Sequence, residues 1–93
     1  MITKKLKLNL EHGLHARPSA YIVQNIGPLN LDIATITYKN QTADMKSILS
    51  LLTLFTENGS EVTIKISGTD ENKALSILED ILSGKKTTEI YKK

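Results

Sequence analysis

The sequence has no cysteine and no tryptophan, one phenylalanine, Phe55, and two prolines, Pro18 and Pro28. The missing cysteine excludes disulfide staples, thiolate metal sites and a cysteine nucleophile, and it fits a reducing compartment. With so few aromatics, a core has to be built from Ile, Leu, Val and Ala. No apolar run approaches the roughly 20 residues that a membrane span requires. Residues 1–6 alternate instead of running apolar, so no signal peptide is expected. A cytoplasmic protein without membrane contact follows as the expectation. The formal net charge of +2 is too small to argue for nucleic acid. No aromatic stacking platform on a strand supports nucleic-acid binding either.

Apolar residues make up 40% of the 93-residue chain, enough for one core and one domain, spanning residues 1–93. Lys85, Lys86, Lys92 and Lys93 crowd the C-terminal end against Glu89 alone. They read as a solvated tail, with weak steering of an acidic partner as the sharper alternative. Residues 87–93 are expected to fray.

The pattern then supplies the elements. Residues 2–10 alternate, with Ile2, Leu6, Leu8 and Leu10 on one face and only Lys4 out of place, which predicts a strand. Residues 16–26 predict a helix: Pro18 is tolerated in a first turn, and Ala16, Ala20, Val23 and Ile26 share a face. Gly27-Pro28 closes it, glycine as cap and proline as stop. Residues 31–38 are rich in β-branched side chains and predict a strand of uncertain register. Lys39-Asn40 fits a two-residue turn, with Asn as the residue that tolerates positive φ, and residues 41–43 fit a short return strand. A short leucine-rich helix of about two turns starts after Ser47, a good N-cap. Residues 61–66 alternate cleanly, with Val62, Ile64 and Ile66 on one face. Thr69 or Asp70 caps a last helix whose stripe is Ala74, Ile77, Leu78, Ile81 and Leu82, ended by Gly84. The order βαββαβα predicts an α+β fold: an open-faced, two-layer β-sandwich with a four-stranded antiparallel sheet and three helices on one face.

The stretch Gly13-Leu14-His15-Ala16-Arg17-Pro18 falls at the junction between the first strand and the first helix. A helix start presents unpaired backbone N–H groups and the positive end of the dipole, which makes a site for an anion, a phosphoryl group first among the candidates. The helix end and the Arg17 cation both disfavour an imidazolium at His15, so both lower its pKa. A neutral imidazole has a lone pair that can attack phosphorus. Arg17 and the first-turn amides can then hold the phosphoryl oxygens by charge-assisted hydrogen bonds. The bland alternative is a histidine that only caps the helix or packs its ring. His12, a second histidine nearby, reads as a solvated loop residue. Two histidines three residues apart without further ligands do not make a metal site.

Ile48, Leu49, Leu51, Leu52, Leu54 and Phe55 are too many apolar residues for one buried stripe on two turns. Some must be exposed, and an exposed apolar patch beside a reactive residue reads as an interface.

These stretches together resemble the HPr family, the histidine-containing phosphocarriers of the bacterial sugar phosphotransferase system. Residues 13–18 are similar to its active-site motif, Lys46-Ser47-Ile48-Leu49 to its regulatory-serine segment, and residues 67–75 to its entry into the last helix. The resemblance covers essentially the whole chain. It implies that His15 takes a phosphoryl group on Nδ1 from phosphorylated enzyme I, charged by phosphoenolpyruvate, and passes it to EIIA proteins or domains. It implies that Arg17 contacts the phosphoryl group, that the protein is a monomeric relay without turnover of its own, and that no cofactor or metal is needed. Ser47 is the candidate phosphoserine, with an HPr kinase/phosphorylase and a transcriptional regulator as further candidate partners. Leu14, Ala16, Ala20, Ile48, Leu49 and Leu52 are the candidate partner interface. Ser50 and Phe55 depart from the pattern, since family members often carry glycine at both, and His12 stands where a small polar residue is commoner. These departures bear on partner choice. The alternative within the resemblance is a mainly regulatory HPr-like module acting through Ser47, or service in a nitrogen-type pathway.

Overall fold

Val62, Ile64 and Ile66 are at most 1% exposed, while Glu61 and Lys65 face solvent and Thr63 is half-buried. That two-residue alternation makes one strand with a wet face and a dry one. In the computed structural model, which describes residues 1–10, 13–54 and 56–84, this strand lies inside a four-stranded sheet. The elements follow as β1 (Ile2–Lys7), α1 (Ala16–Ile26), β2 (Ile33–Tyr38), β3 (Gln41–Asp44), α2 (Ile48–Leu52), β4 (Glu61–Ser67) and α3 (Glu71–Leu82). The sheet order is β1-β4-β2-β3, and every neighbouring pair is antiparallel.

The register aligns the apolar positions of adjacent strands. Ile36 faces Ile64, Ala34 faces Ile66, and Ala43 faces Ile36. All five are buried under the helices, with Ile22 and Ile26 of α1, Leu51 of α2, and Ala74, Leu78, Ile81 and Leu82 of α3. Each fully buried aliphatic side chain contributes about 1.5–3 kcal/mol through its removal from water. The other face of the sheet is open and carries Thr3, Lys5, Thr35, Thr37, Thr63 and Lys65 in paired register. The expected architecture is therefore the observed one.

Several details differ from the pattern reading. The first strand stops at Lys7, not at residue 10. Leu8 still exchanges hydrogen bonds with Gly59 and Ser60, but the Asn9 N–H turns away to the Leu82 carbonyl at 2.8 Å, at the end of α3. Leu8 and Leu10 are core residues all the same, at 1% and 4% exposure. Lys4, the residue out of place in the alternation, pairs with Glu79 of α3. Its aliphatic stem lies along the helix side of an edge strand and its ammonium reaches solvent. On α1 the buried residues are Pro18, Ser19, Ile22 and Ile26, while Ala16 is exposed and Ala20 and Val23 are half-buried. The buried stripe is rotated from the expected one because the polar Ser19 turns inward. Gly27 continues the right-handed conformation (φ −54°), so its role as cap does not use positive φ. In the β2–β3 turn the positive φ belongs to Lys39 (56°), not to Asn40, and the Lys39 ammonium lies 5.2 Å from the Tyr38 ring centroid. The α2 helix is five residues long, shorter than the expected two turns. At α3 the N-cap is Asp70, whose carboxylate accepts from the Asn30 N–H at 2.7 Å instead of capping the helix. The expected tail at residues 87–93 lies outside the described residues.

Candidate functional site

The junction between β1 and α1 is built by a chain of hydrogen bonds to its backbone. Gly13 takes φ +64° and donates its N–H to the Leu10 carbonyl at 3.0 Å, turning the chain. The Leu14 N–H donates to the hydroxyl of Thr56 at 2.8 Å, and the Leu14 carbonyl accepts from the Ser19 hydroxyl at 3.4 Å. The His15 N–H donates to the Gly13 carbonyl at 3.0 Å. Ser19 N–H then donates to the His15 carbonyl at 3.1 Å, the first turn of α1.

His15 is consequently the N-cap residue of α1, in an extended conformation (φ −85°, ψ −170°) and half-buried. Its side chain makes no capping hydrogen bond to the helix. A plain helix cap therefore does not account for it. Arg17 is the second residue of α1 and is exposed. Pro18 follows, buried in the first turn, where no N–H is lost to the helix. No acidic residue stands in that first turn, so nothing on the helix opposes the positive end of its dipole. The arrangement places an imidazole, a guanidinium and a helix start at one end of one element, groups that can together receive an anion.

The second candidate stretch lies on α2, which packs beside α1. Ser47 is the N-cap of α2, and its hydroxyl accepts the Ser50 N–H at 3.3 Å. Ser50 returns a hydroxyl to the Asp44 N–H at 2.9 Å, and the Asp44 carboxylate accepts the Lys46 N–H at 2.9 Å. Ser50 thus ties the start of α2 back to β3. Ile48 and Leu49 are 38% and 77% exposed, so the leucine-rich segment does leave apolar surface uncovered. Leu51 and Leu54 are core residues, and Leu52 is half-buried.

Leu14 departs from the expected interface. It is 3% exposed and belongs to the core, its side chain anchoring the loop that carries His15. Ala16 is exposed and Ala20 is half-buried, both on α1. His12 and Phe55 lie outside the described residues. Two residues of the junction carry no signal in the sequence, Thr56 and Ser19. Both are buried polar side chains whose partners become visible only in three dimensions. Among the described residues, no three His, Asp or Glu side chains come together as a metal site. No helix among them is long and apolar enough to cross a membrane.

The model of the PTS HPr component phosphorylation site family matches residues 2–83. The chain belongs to the HPr family. The phosphocarrier protein HPr of Bacillus anthracis is 32% identical, with a TM-score of 0.81 over 87% of this chain and 95% of that one. HPr-C-His of Thermoanaerobacter tengcongensis is 28% identical, with a TM-score of 0.83 over 91% of this chain and 94% of that one. Crh, a catabolite repression protein of Bacillus subtilis described as a swapped, intertwined dimer, is 32% identical, with a TM-score of 0.71 over 91% and 97%. The HPr assignment brings with it the phosphotransferase system, a phosphocarrier role and phosphohistidine chemistry. Membership in this phosphocarrier family supports a carrier and not an enzyme.

Proposed function

We propose that this protein relays phosphoryl groups from phosphorylated enzyme I to EIIA proteins or domains, with His15 as the covalent carrier. The observation that carries the reading is the position of His15: an N-cap whose ring is not used as a cap, followed by Arg17 at a helix start without acidic residues. In the loading step a deprotonated ring nitrogen of His15, Nδ1 in this reading, attacks the phosphorus. A new N–P bond forms as the bond to the donor breaks. The unloading step is the same exchange toward the acceptor. Arg17 and the first-turn amides of α1 hold the phosphoryl oxygens, each charge-assisted bond contributing about 1.5–3 kcal/mol. The product is held without being trapped, since water and the next acceptor compete at a half-buried ring beside the exposed Arg17. Ile48, Leu49 and Leu52 on α2, with Ala16 and Ala20 on α1, form the surface on which donor and acceptors dock. The protein acts as a single-domain monomer in the cytoplasm.

The test is transfer from labelled phosphoenolpyruvate through enzyme I and Mg²⁺. The expected product is an acid-labile, base-stable phosphate on the wild-type protein and none on a His15→Ala protein. Equal labelling of the two sinks the reading.

A second role at Ser47 is favoured by one observation: its hydroxyl stands at the start of α2, next to the exposed Ile48 and Leu49. A phosphate there adds about −1.5 to −2 charges beside the docking surface without unfolding the helix it caps. An HPr kinase with ATP should then place acid-stable phosphate on Ser47 and none on a Ser47→Ala protein.

A further inference from the structure

If His15 is the phosphoryl acceptor, as proposed above, the loop that carries it is held by a residue 42 positions beyond Leu14. We propose that Thr56 is a positioning residue for the transfer step. Its hydroxyl and its backbone together fix the loop from which His15 projects.

The argument starts at Leu14. Its N–H donates to Thr56 Oγ1 at 2.8 Å, its carbonyl accepts from the Ser19 hydroxyl at 3.4 Å, and its side chain is 3% exposed. Both peptide units flanking Leu14 are therefore held: the first through the Leu14 N–H to Thr56 and the Gly13 carbonyl to the His15 N–H at 3.0 Å, the second through the Leu14 carbonyl to Ser19. Thr56 is itself buried, at 7% exposure, so water does not replace its hydroxyl as acceptor. Behind the loop, the Thr56 carbonyl closes off Gly13: a Cβ there would stand 2.0 Å from that oxygen. The chain from Gly13 to His15 is thus bounded on one side by Thr56 and on the other by the first turn of α1. A rotation of the Leu14 peptide would carry the His15 ring with it. Misplacement of a reacting group by about 1 Å costs up to about a hundredfold in rate. Thr56 does not touch the reacting atoms, so it acts through Leu14.

Thr56→Val keeps the shape and removes the acceptor; Thr56→Ser keeps the acceptor and removes the methyl. The docking surface on α2 is untouched by either. In steady-state transfer from phosphorylated enzyme I, Thr56→Val should lower kcat about tenfold or more with KM unchanged. Thr56→Ser should stay within about twofold of wild type. Amide hydrogen exchange at Leu14, followed by NMR, should be slow in the wild type and in Thr56→Ser, and faster in Thr56→Val. The proposal is overturned by wild-type kcat in Thr56→Val, by a loss in Thr56→Ser as large as in Thr56→Val, or by a Leu14 amide unprotected in the wild type. Should Thr56→Val not fold, the wild-type amide and the Thr56→Ser kinetics decide alone: protection with near-normal transfer supports the role, and absence of either overturns it. If the wild-type protein accepts no phosphoryl group, the carrier reading fails, and the Leu14 exchange still tells whether Thr56 holds the loop.

Discussion

Gly13 lies against the backbone of Thr56, so closely that a Cβ on Gly13 would stand 2.0 Å from the Thr56 carbonyl oxygen. The contact joins the loop before α1 to the segment after α2. It is a meeting of two main chains, so no side-chain rotation relieves it. Together with φ +64°, it reserves position 13 for glycine.

Gly13→Ala is therefore expected to destabilise the fold by at least about 2 kcal/mol, combining left-handed strain with forced displacement of a backbone segment. Urea denaturation of the two proteins measures it. A midpoint equal to wild type contradicts the packing described for this loop.

Ile64→Ala tests the core. Ile64 is fully buried at the centre of the sheet, opposite Lys4 on β1 and Ile36 on β2. A cavity at such a site costs about 2–5 kcal/mol. Chemical denaturation should show a lower midpoint with little change in slope.

At Ser47 the two obvious substitutions should part company. Ser47→Ala removes the acceptor for the Ser50 N–H and should cost about 0.5–1 kcal/mol, the low end for a cap because the bond is 3.3 Å long. Ser47→Asp retains an N-cap oxygen and should keep the stability of the wild type. If it also slows transfer by phosphorylated enzyme I, charge at this position acts on docking and not on the fold.

Leu49→Ser removes the most exposed apolar side chain of α2, at 77%. Stability should change by less than about 0.5 kcal/mol. On the docking role proposed for this surface, KM for transfer should rise about fivefold or more while kcat holds. An unchanged KM excludes Leu49 from the interface.

Glu79→Gln breaks the pair with Lys4 on the surface between β1 and α3. Both side chains are about half exposed, 45% and 40%, so the loss should stay under about 1 kcal/mol. It should shrink further in molar salt, which screens exposed charges.

Most of the architecture was legible in the sequence because burial follows period. Val62, Ile64 and Ile66 gave β4 from alternation, and Ala74, Leu78, Ile81 and Leu82 gave α3 from helical spacing. The departures arise where a polar group is satisfied at long range. Asn9 leaves the sheet for Leu82, Ser19 turns inward to Leu14, and Asp70 serves Asn30 instead of its own helix. Each such partner is far away in sequence or invisible to an apolar pattern. The same holds for the site. His15, Arg17 and Pro18 stand together in one short motif, and the structure sets them together at a helix start. Thr56 offered no local cue, and Leu14 looked like docking surface until its burial was known. The one sequence hint was Gly13, since a glycine at a turn raises the question of what lies too near for a Cβ.

The sheet order has a temporal consequence for synthesis. Of the described elements β1 is made first, yet its register runs from Ile2 against Ile66 to Lys7 against Glu61, so its strand partner among the described residues is made next to last of these elements. The hydroxyl that receives Leu14 likewise arrives 42 residues after it. A nascent chain that has already exposed the His15 motif cannot make both of these contacts until β4 has been made. Closing such distant pairs also slows folding. On the carrier role proposed for His15, a fragment that ends before β4 is therefore expected to lack contacts that shape the loop.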